Sequence, residues 1–338
     1  MGDCGGGVAV TARAPACQSR RHRLHSPPFA MKPPPLPWRA ALLLACLRLA
    51  GRLPLRLLHA AGSTLGRLSW WLHGRERRIA ERNLFLVSTQ YGGEKRQALA
   101  REALAETGKA LLETAAIWGT SPARALALVR EVRGGALFDA ALASGRGLIV
   151  AAPHLGCWEL LNYWLAARTP LAILYRAPHH GLLEPLLVRA RGALPVEQVR
   201  AEGAGVRTLY RRLAEGGVIG ILPDQKPRQG EGEMAPFFDV PARTMVLLPR
   251  LARRTGATVL FAFAERLPRG AGFRVHVLPA PAGIDDADIA VACAALNRGV
   301  ENCVRLAFAQ YQWTYKRFPR GAEQGIGNGE EPGMGNGE

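Results

Sequence analysis

A histidine and a glutamate lie close together in the stretch "IVAAPHLGCWELLNYW", residues 149–164. His154 follows a short apolar run and a proline, and Glu159 comes five residues later, at the start of another apolar run. On one continuous helix, side chains five residues apart point about 140° away from each other and could not cooperate. A strand end, a turn through Gly156 and a helix beginning at Cys157 would remove that obstacle. We therefore expect a loop histidine beside a carboxylate in the first turn of a helix.

Such a pair is suited to general base catalysis. A carboxylate that hydrogen-bonds one imidazole nitrogen fixes the tautomer, and the other nitrogen can then take a proton from a hydroxyl group. The chain has no serine after Ser144, so a serine nucleophile in this region is excluded. Cys157 is the alternative nucleophile, but its apolar neighbours favour a buried, inert thiol. A purely structural pair is the other alternative, because a helix dipole stabilises Glu159 without any catalytic role.

The elements around this pair follow an alternating pattern. Short β-type runs lie near residues 147–152, 171–176, 218–223, 258–265 and 273–280. Helical patterns lie near 157–167, 181–191, 203–215 and 243–255, and a last one near 286–308. The alternation predicts an α/β fold with a mostly parallel sheet flanked by helices, in which ligands bind at the carboxyl ends of strands. Upstream, three more helices are expected at 77–87, 94–119 and 121–132.

The amino-terminal part of the chain predicts a membrane-associated helical segment at 38–72. It is apolar, but arginines at 48, 52 and 56 interrupt it, so the pattern does not predict a membrane-spanning helix. On one helix these arginines would form a stripe that reaches lipid phosphates, with Trp70 and Trp71 as an interfacial anchor. Residues 73–320 would then form the main domain. Residues 1–37 and 321–338 are expected to be disordered, and Met31 is a plausible start.

Charge and cysteine content narrow the function classes. Lys and Arg outnumber Asp and Glu by 44 to 27, which gives a net charge of +17 and favours anionic partners such as anionic lipids. The arginines are spread along the chain and match no nucleic-acid motif, so no nucleic acid partner is expected. The six cysteines show neither C-x-x-C pairs nor histidines at zinc-ligand spacing. No metal or cofactor is therefore predicted.

Five quoted segments carry a family resemblance. "HLGCWE" at 154–159 is similar to the H-x4-[D/E] motif of lipid acyltransferases, and resembles most closely the lipid A biosynthesis acyltransferases. Four other segments of this chain also resemble segments of the family and occur in the same order. Together they extend the resemblance over about residues 38–320. These are "RRIAERNLFLV", "LYRAPHHGLLEPLLVRARG", "GVIGILPDQKPRQGEGEMAPFFDVPARTM" and "QYQWTYKRF".

The resemblance implies an acyltransferase-type α/β domain behind a membrane-associated segment, on the cytoplasmic side of the bacterial inner membrane. It implies transfer of an acyl chain from acyl-carrier protein to a hydroxyl of a 3-hydroxyacyl group on a lipid A precursor. His154 would be the general base and Glu159 its orienting carboxylate. Arg176, Arg191 and Asp224 match further functional positions, where substrate binding is expected.

The sequence departs from the family pattern at three places. Cys157, Asp239 and Tyr315 stand where the family usually has Asn, Gly and His. None of these departures touches His154 or Glu159, although the first two bear on local recognition of the acyl chain or phosphate.

Two alternatives to this function stay open. One is acyl transfer to a different glycolipid or a lysophospholipid, although the "FPEGTR"-like block of glycerophospholipid acyltransferases is missing. The other is a basic protein that binds anionic lipid without catalysis.

Overall fold

The structure is a computed structural model that describes residues 36–175, 183–227 and 230–322. Arg176, Met31 and nearly all of the two terminal segments expected to be disordered lie outside the described residues.

Eleven helices occur among the described residues. They are α1 (Trp38–Ala50), α2 (Leu55–Trp71), α3 (Arg75–Val87), α4 (Gly93–Trp118), α5 (Pro122–Leu126), α6 (Gly135–Ala143), α7 (Trp158–Ala166), α8 (Leu183–Arg191), α9 (Gly203–Ala214), α10 (Leu247–Thr255) and α11 (Ile289–Leu306).

Nine strands occur in the same part of the chain. They are β1 (Val129–Arg133), β2 (Leu148–Ala151), β3 (Leu171–Tyr175), β4 (Val196–Arg200), β5 (Val218–Ile221), β6 (Glu233–Phe237), β7 (Val240–Thr244), β8 (Thr258–Arg266) and β9 (Phe273–Pro279).

Seven strands form a central sheet in the order β1-β9-β8-β2-β5-β3-β4. All neighbouring pairs are parallel except β8 and β9, which are antiparallel. The central strands β2 and β5 are buried along their whole length, because helices cover both faces of the sheet. Alternate residues of β2 enter two separate hydrophobic clusters: Ile149 lies in one, and Leu148 and Val150 in the other. The predicted α/β fold with a mostly parallel sheet is therefore confirmed.

The helix predicted at 121–132 is wrong beyond its first turn. It ends at Leu126 as α5, and β1 follows and pairs with β9 at the edge of the sheet. The β-branched Val129 and Val132 favour a strand. The backbone of β1 hydrogen-bonds to β9, which is distant along the chain, so the local pattern of apolar residues could not indicate this pairing.

A β-hairpin replaces part of another predicted helix. The helix expected at 243–255 begins only at Leu247, because residues up to Thr244 form β7 and pair with β6. Phe238 and Asp239 connect these strands with positive φ angles of 50° and 63°. Two left-handed residues match the tight turn that joins twisted strands, and Asp tolerates that conformation better than most residues. This accounts for Asp239 at a position where glycine is usual.

The segment 38–72 forms two helices and not one. Gly51 and Pro54 separate α1 from α2, so Arg48, Arg52 and Arg56 do not share a single helical stripe. Trp70 is buried and stacks on Arg77, whereas Trp71 is exposed, so the expected tryptophan pair is reduced to one exposed ring. Among the described residues, no helix is both long and apolar enough to cross a membrane.

Glycines allow α2 to lie directly against α4. An added Cβ at Gly62 would come within 2.5 Å of the carbonyl oxygen of Gly108, and one at Gly66 within 2.1 Å of the carbonyl oxygen of Leu104. Because glycine has no side chain, the two backbones can approach each other closely at these points. Helix α2 is thus an integral part of the fold and not a detachable arm.

Candidate functional site

His154 and Asp224 meet at the carboxyl ends of two adjacent parallel strands. Ala151, the last residue of β2, pairs with Ile221, the last residue of β5. His154 and Asp224 each come three residues after these partners, so the strand register brings them side by side. This edge of the sheet is where ligands bind in α/β folds, as the sequence predicts for His154.

Two hydrogen bonds join the pair. Nδ1 of His154 lies 2.7 Å from Oδ1 of Asp224, and the backbone N–H of His154 donates to Oδ2 at 2.8 Å. Asp224 is buried, which by itself raises the pKa of the carboxyl, but the positive charge and the hydrogen bonds of His154 outweigh burial and lower the pKa. An ionised Asp224 can only accept, so Nδ1 carries the proton and the lone pair lies on Nε2.

The lone pair of His154 faces a side-chain amide. Nε2 of His154 lies 3.1 Å from Nε2 of Gln225, which follows Asp224 directly in the chain. Since a deprotonated imidazole nitrogen accepts, the amide N–H of Gln225 donates to it. The indole ring of Trp158 packs beside the imidazole, with the ring centroids 5.3 Å apart. A substrate hydroxyl that reaches Nε2 must therefore displace Gln225.

The loop that carries His154 is held from three sides. The backbone N–H of Gln312 donates to the carbonyl of His154 at 3.0 Å, and that of Gly156 donates to the carbonyl of Gln310 at 3.3 Å. Gly156 has a φ of 61°, and an added Cβ would lie 2.0 Å from the carbonyl oxygen of Ala264. Only glycine fits there, which explains the turn through Gly156 that the sequence predicts.

A buried arginine at the end of β8 also holds the loop of His154 in place. Arg266, at the end of β8, donates from Nη2 to the carbonyl of Gly156 at 2.7 Å. Its Nε and Nη2 each donate to Glu113 of α4 at 2.7 Å. Glu113 also lies 3.1 Å from Nε2 of His59 on α2. Burial raises the pKa of Glu113, but Arg266 and His59 outweigh burial and lower the pKa.

Glu159 does not contact His154. Its carboxylate binds Arg191 of α8 through Nη2 at 2.5 Å and Nε at 3.1 Å, and Nε1 of Trp118 donates to it at 3.3 Å. The hydrogen bond expected between Glu159 and His154 is therefore wrong: the imidazole uses Asp224 instead. Although burial lowers the pKa of Arg191, Glu159 outweighs burial and raises the pKa. Glu159 ties the start of α7 to α4 and α8.

The structure also shows the surroundings of most of the other residues that the sequence analysis named. The side chains of Arg191 and Asp224 bind Glu159 and His154, and Arg176 lies outside the described residues. Cys157 is buried, and burial together with Glu113 raises the pKa of its thiol well above the ordinary range. A thiol held protonated is a poor nucleophile. Tyr315 accepts a hydrogen bond from the backbone N–H of Lys226 at 3.0 Å.

Gln225, Arg266 and Gln310 are among the residues at the site that sequence reasoning did not single out, as are Glu113, His59 and Trp118. Gln225 and Gln310 lie inside segments quoted for the family resemblance, and that was the available signal. Arg266 ends an apolar strand and lies outside the segments quoted for the resemblance, so nothing in the sequence indicated its role. Within the described residues, no group of three or more His, Cys, Asp or Glu side chains could hold a metal ion.

A partly buried histidine is thus paired with a buried carboxylate at the strand ends of an α/β domain, and its second imidazole nitrogen can accept a proton. The sequence comparisons identify the family. A profile described as Bacterial lipid A biosynthesis acyltransferase matches residues 34–320, and the chain belongs to this family. The resemblance inferred from the quoted segments is confirmed.

Known relatives cover nearly the same length. The chain is 27% identical over 284 residues to the Lipid A biosynthesis lauroyltransferase of Escherichia coli (strain K12), which is 83% of this chain and 91% of that protein. It is also 27% identical over 305 residues to the Lipid A biosynthesis palmitoleoyltransferase of the same organism, 90% and 95% of the two chains. A shorter match links it to the Phosphatidylinositol mannoside acyltransferase of Mycobacterium tuberculosis (strain ATCC 25618 / H37Rv), 30% identical over 143 residues, 41% and 45% of the two chains. The protein is thus an acyltransferase by descent.

Proposed function

We propose that this enzyme moves a fatty acyl chain from acyl-carrier protein to a hydroxyl of a 3-hydroxyacyl group on a lipid A precursor, with His154 as general base. The observation that carries the proposal is the hydrogen bond from Nδ1 of His154 to the buried Asp224, which leaves a lone pair on Nε2. The lipid A acceptor is supported by the family and by the printed activities of the relatives.

The proton transfers follow from this tautomer. The acceptor hydroxyl displaces the amide of Gln225, gives its proton to Nε2 of His154, and its oxygen forms a bond to the thioester carbonyl carbon. The tetrahedral intermediate then expels the thiolate of the carrier as the C–S bond breaks. Nε2 returns its proton to that sulfur, so the imidazole ends neutral. While the imidazole is protonated, the ionised Asp224 stabilises its charge.

Glu159 and Arg191 take a positioning role in this proposal. Their ion pair, with Trp118, fixes the first turn of α7, which directly follows the loop of His154. Arg176, Arg191 and Asp224 remain candidates for substrate binding. For Arg191 and Asp224 that role would act through Glu159 and His154, because their side chains are already paired with these residues.

We also propose that α1 and α2 hold the enzyme on the cytoplasmic face of the inner membrane. Large apolar side chains on these helices and the turn between them face solvent. They are Trp38, Leu42, Leu49, Leu53, Leu57, Leu65, Leu68, Trp71 and Leu72. An apolar surface of this kind suits the bilayer interface, and the net charge of +17 favours anionic lipids as further partners.

The direct test is acyl transfer from acyl-carrier protein to a tetra-acylated lipid A precursor by purified protein. His154→Ala should lower kcat by about 10²–10⁴-fold, the range found when a general base is removed. Cys157→Ala is the matched control next to the same loop and should keep near wild-type activity. Full activity in His154→Ala would overturn the mechanism, and loss confined to Cys157→Ala would indicate a thiol nucleophile.

A second acceptor class is favoured by the mannoside relative. The same assay should therefore be run with an acylated mannosyl phosphoinositide and with a lysophospholipid as acceptors. Preference for one of these over the lipid A precursor would keep the acyltransferase assignment and change the substrate. Binding of anionic lipid with no transfer to any acceptor would support the non-catalytic alternative.

A further inference from the structure

A cavity lined by arginines lies next to α7, the helix that follows the loop of His154. It measures about 580 Å³, and its walls include Arg48, Arg52, Arg124 and Arg189. These residues come from the end of α1, the turn after it, α5 and α8, so four separate elements direct cations to one place. His154 and Asp224 do not line this cavity. It is therefore distinct from the proton-transfer site.

The four guanidinium groups have no acidic partner among the residues that the structure describes. No Asp or Glu lines the cavity, and none of the four arginines forms an ion pair with any carboxylate in the described part of the chain. Within the part of the chain that the structure describes, their one side-chain hydrogen bond runs from Nη2 of Arg124 to the carbonyl of Arg52 at 3.4 Å. Like charges that converge without counter-ions repel each other, and a bound anion would relieve that repulsion. Guanidinium forks match the oxygens of phosphate.

The position of the cavity connects it to the proposed reaction. Trp118 and Tyr163 line it, and Trp118 also donates its indole N–H to Glu159 at the start of α7. Leu44 and Arg48 bring α1 into the wall, and α1 exposes Leu42 and Leu49. An amphiphile could place its head group among the arginines while its chains lie along the apolar side of α1. The volume falls in the range of sites that enclose a whole ligand head group and exceeds the need of one inorganic ion.

We infer that this cavity binds a phosphate monoester on the sugar head group of the acceptor glycolipid. The inference rests on the proposed function for the choice of a glycolipid. Arginines gain most from a doubly charged phosphate, because a monoester offers three oxygens and more charge than a phosphodiester. The cavity would thereby orient the acceptor with one phosphate held apart from the reacting hydroxyl.

The test measures lipid binding and not catalysis. Phosphatidylcholine vesicles are loaded with the tetra-acylated bisphosphorylated precursor, with its dephosphorylated form, or with phosphatidylglycerol at matched charge. Arg124→Gln/Arg189→Gln removes two cations of the cavity and leaves the exposed apolar side of α1 and α2 intact. Arg146→Gln/Arg211→Gln removes the same charge from exposed positions near the amino ends of β2 and β5, at the opposite edge of the sheet from His154.

Wild-type protein should prefer the phosphorylated precursor over its dephosphorylated form by at least about tenfold. The cavity double variant should lose that preference and the Arg146/Arg211 pair should retain it. Inorganic phosphate should displace the lipid only at far higher concentration. Three results would overturn the inference: equal binding of both precursor forms, an equal loss in the Arg146/Arg211 control, or equally strong competition by inorganic phosphate.

The acyl transfer assay separates this inference from the proposed function. If wild-type protein transfers acyl chains and the cavity double variant keeps the KM for the phosphorylated precursor, the inference fails and the function stands. If phosphate-selective binding occurs without any transfer, the function fails and the phosphate site stands.

Discussion

Asp224 and Glu159 are both buried carboxylates near the loop of His154, but they face different cations. Asp224 binds the imidazole through a 2.7 Å contact, and Glu159 binds the guanidinium of Arg191. The two acids therefore have separable effects. In the proposed mechanism, loss of charge at Asp224 acts on the proton that His154 carries during the reaction. Loss of charge at Glu159 acts on a buried ion pair.

Substitution with the isosteric amides separates these roles. Asp224→Asn should lower kcat by about 10²–10⁴-fold with little change in unfolding, because an amide cannot stabilise the imidazolium. Glu159→Gln should lower the free energy of unfolding by about 3–5 kcal/mol, because it leaves the largely buried guanidinium of Arg191 without its counter-ion. Its kcat per folded molecule should fall less. Steady-state kinetics and urea unfolding of both variants measure the difference.

The reverse pattern would contradict the geometry. If Glu159→Gln abolishes kcat in a stable protein while Asp224→Asn remains active, Glu159 and not Asp224 serves the imidazole. A double variant adds a control: Arg191→Met in the Glu159→Gln background should restore part of the lost stability, since it removes the unpaired cation.

The sequence was sufficient to find His154 but not its partner. A histidine after a short apolar run and a proline is visible in one dimension, and so is the glycine turn that follows. The contact with Asp224 depends on the pairing of β2 with β5, which are separated along the chain by β3 and β4. Glu159 is nearer in sequence, yet its first-turn position on α7 directs it to Arg191. The partner of His154 could therefore not be inferred from closeness in sequence.

At the scale of elements, the loop of His154 rests on a buried network that reaches the amino-terminal helices. Arg266 of β8 holds the carbonyl of Gly156 and the carboxylate of Glu113, and Glu113 contacts His59 of α2. Helix α2 and the loop of His154 are thus joined through three side chains. Helices α3, α4 and α7 to α9 were predicted well because their apolar periodicity is long or bounded by strands. The edge strand β1 was missed because its partner β9 is distant along the chain. The strands of the β6–β7 hairpin pair locally, but each contains a proline, which disfavours strand, and they were missed for that reason. The other edge strand, β4, was missed as well.

Arg266→Met should weaken both stability and catalysis. It leaves the buried Glu113 with His59 as its remaining ion-pair partner and releases the carbonyl of Gly156, so the free energy of unfolding should fall by about 3–5 kcal/mol. The comparison variant is Arg274→Met on the neighbouring strand β9, whose ion pairs with Glu131 and Glu265 are more exposed and should matter by about 0–1 kcal/mol.

Activity distinguishes a positioning role from a merely structural one. Below the unfolding temperature of each variant, kcat per folded molecule should drop in Arg266→Met and stay unchanged in Arg274→Met. Arg266→Lys keeps the charge but not the fork, and it should rescue stability more than kcat. Equal kcat in all three variants would mean that Arg266 does not position the loop.

At the scale of the whole molecule, α1, α2 and their connecting turn expose many large apolar side chains on a protein with a net charge of +17. Deleting these helices is a poor test of membrane binding. Helix α2 packs against α4 through Gly62 and Gly108 and buries His59 and Trp70, so truncation would expose the core of the enzyme. Substitution of exposed side chains removes the surface and leaves this packing in place.

Four asparagines should release the enzyme from the bilayer. Leu42, Leu49, Leu57 and Trp71 are 50–73% exposed, so replacing them by Asn removes little packing. Each side chain that enters the interface contributes up to about 1.5–3 kcal/mol of transfer free energy, so the loss of four should lower vesicle partitioning by at least about 100-fold. Sedimentation with anionic vesicles in high salt measures this, because salt screens the arginines and leaves the apolar contribution.

The same number of asparagines elsewhere provides the control. Leu111, Leu137, Met234 and Val291 are also exposed, on α4, α6, β6 and α11, and their replacement should leave partitioning unchanged. Thermal unfolding of both quadruple variants checks that neither has lost its fold. If the α1–α2 variant still sediments in high salt as strongly as wild-type protein, the membrane contact lies elsewhere. If it is released but transfers acyl chains normally to a detergent-dispersed acceptor, α1 and α2 anchor the enzyme without shaping its proton-transfer site.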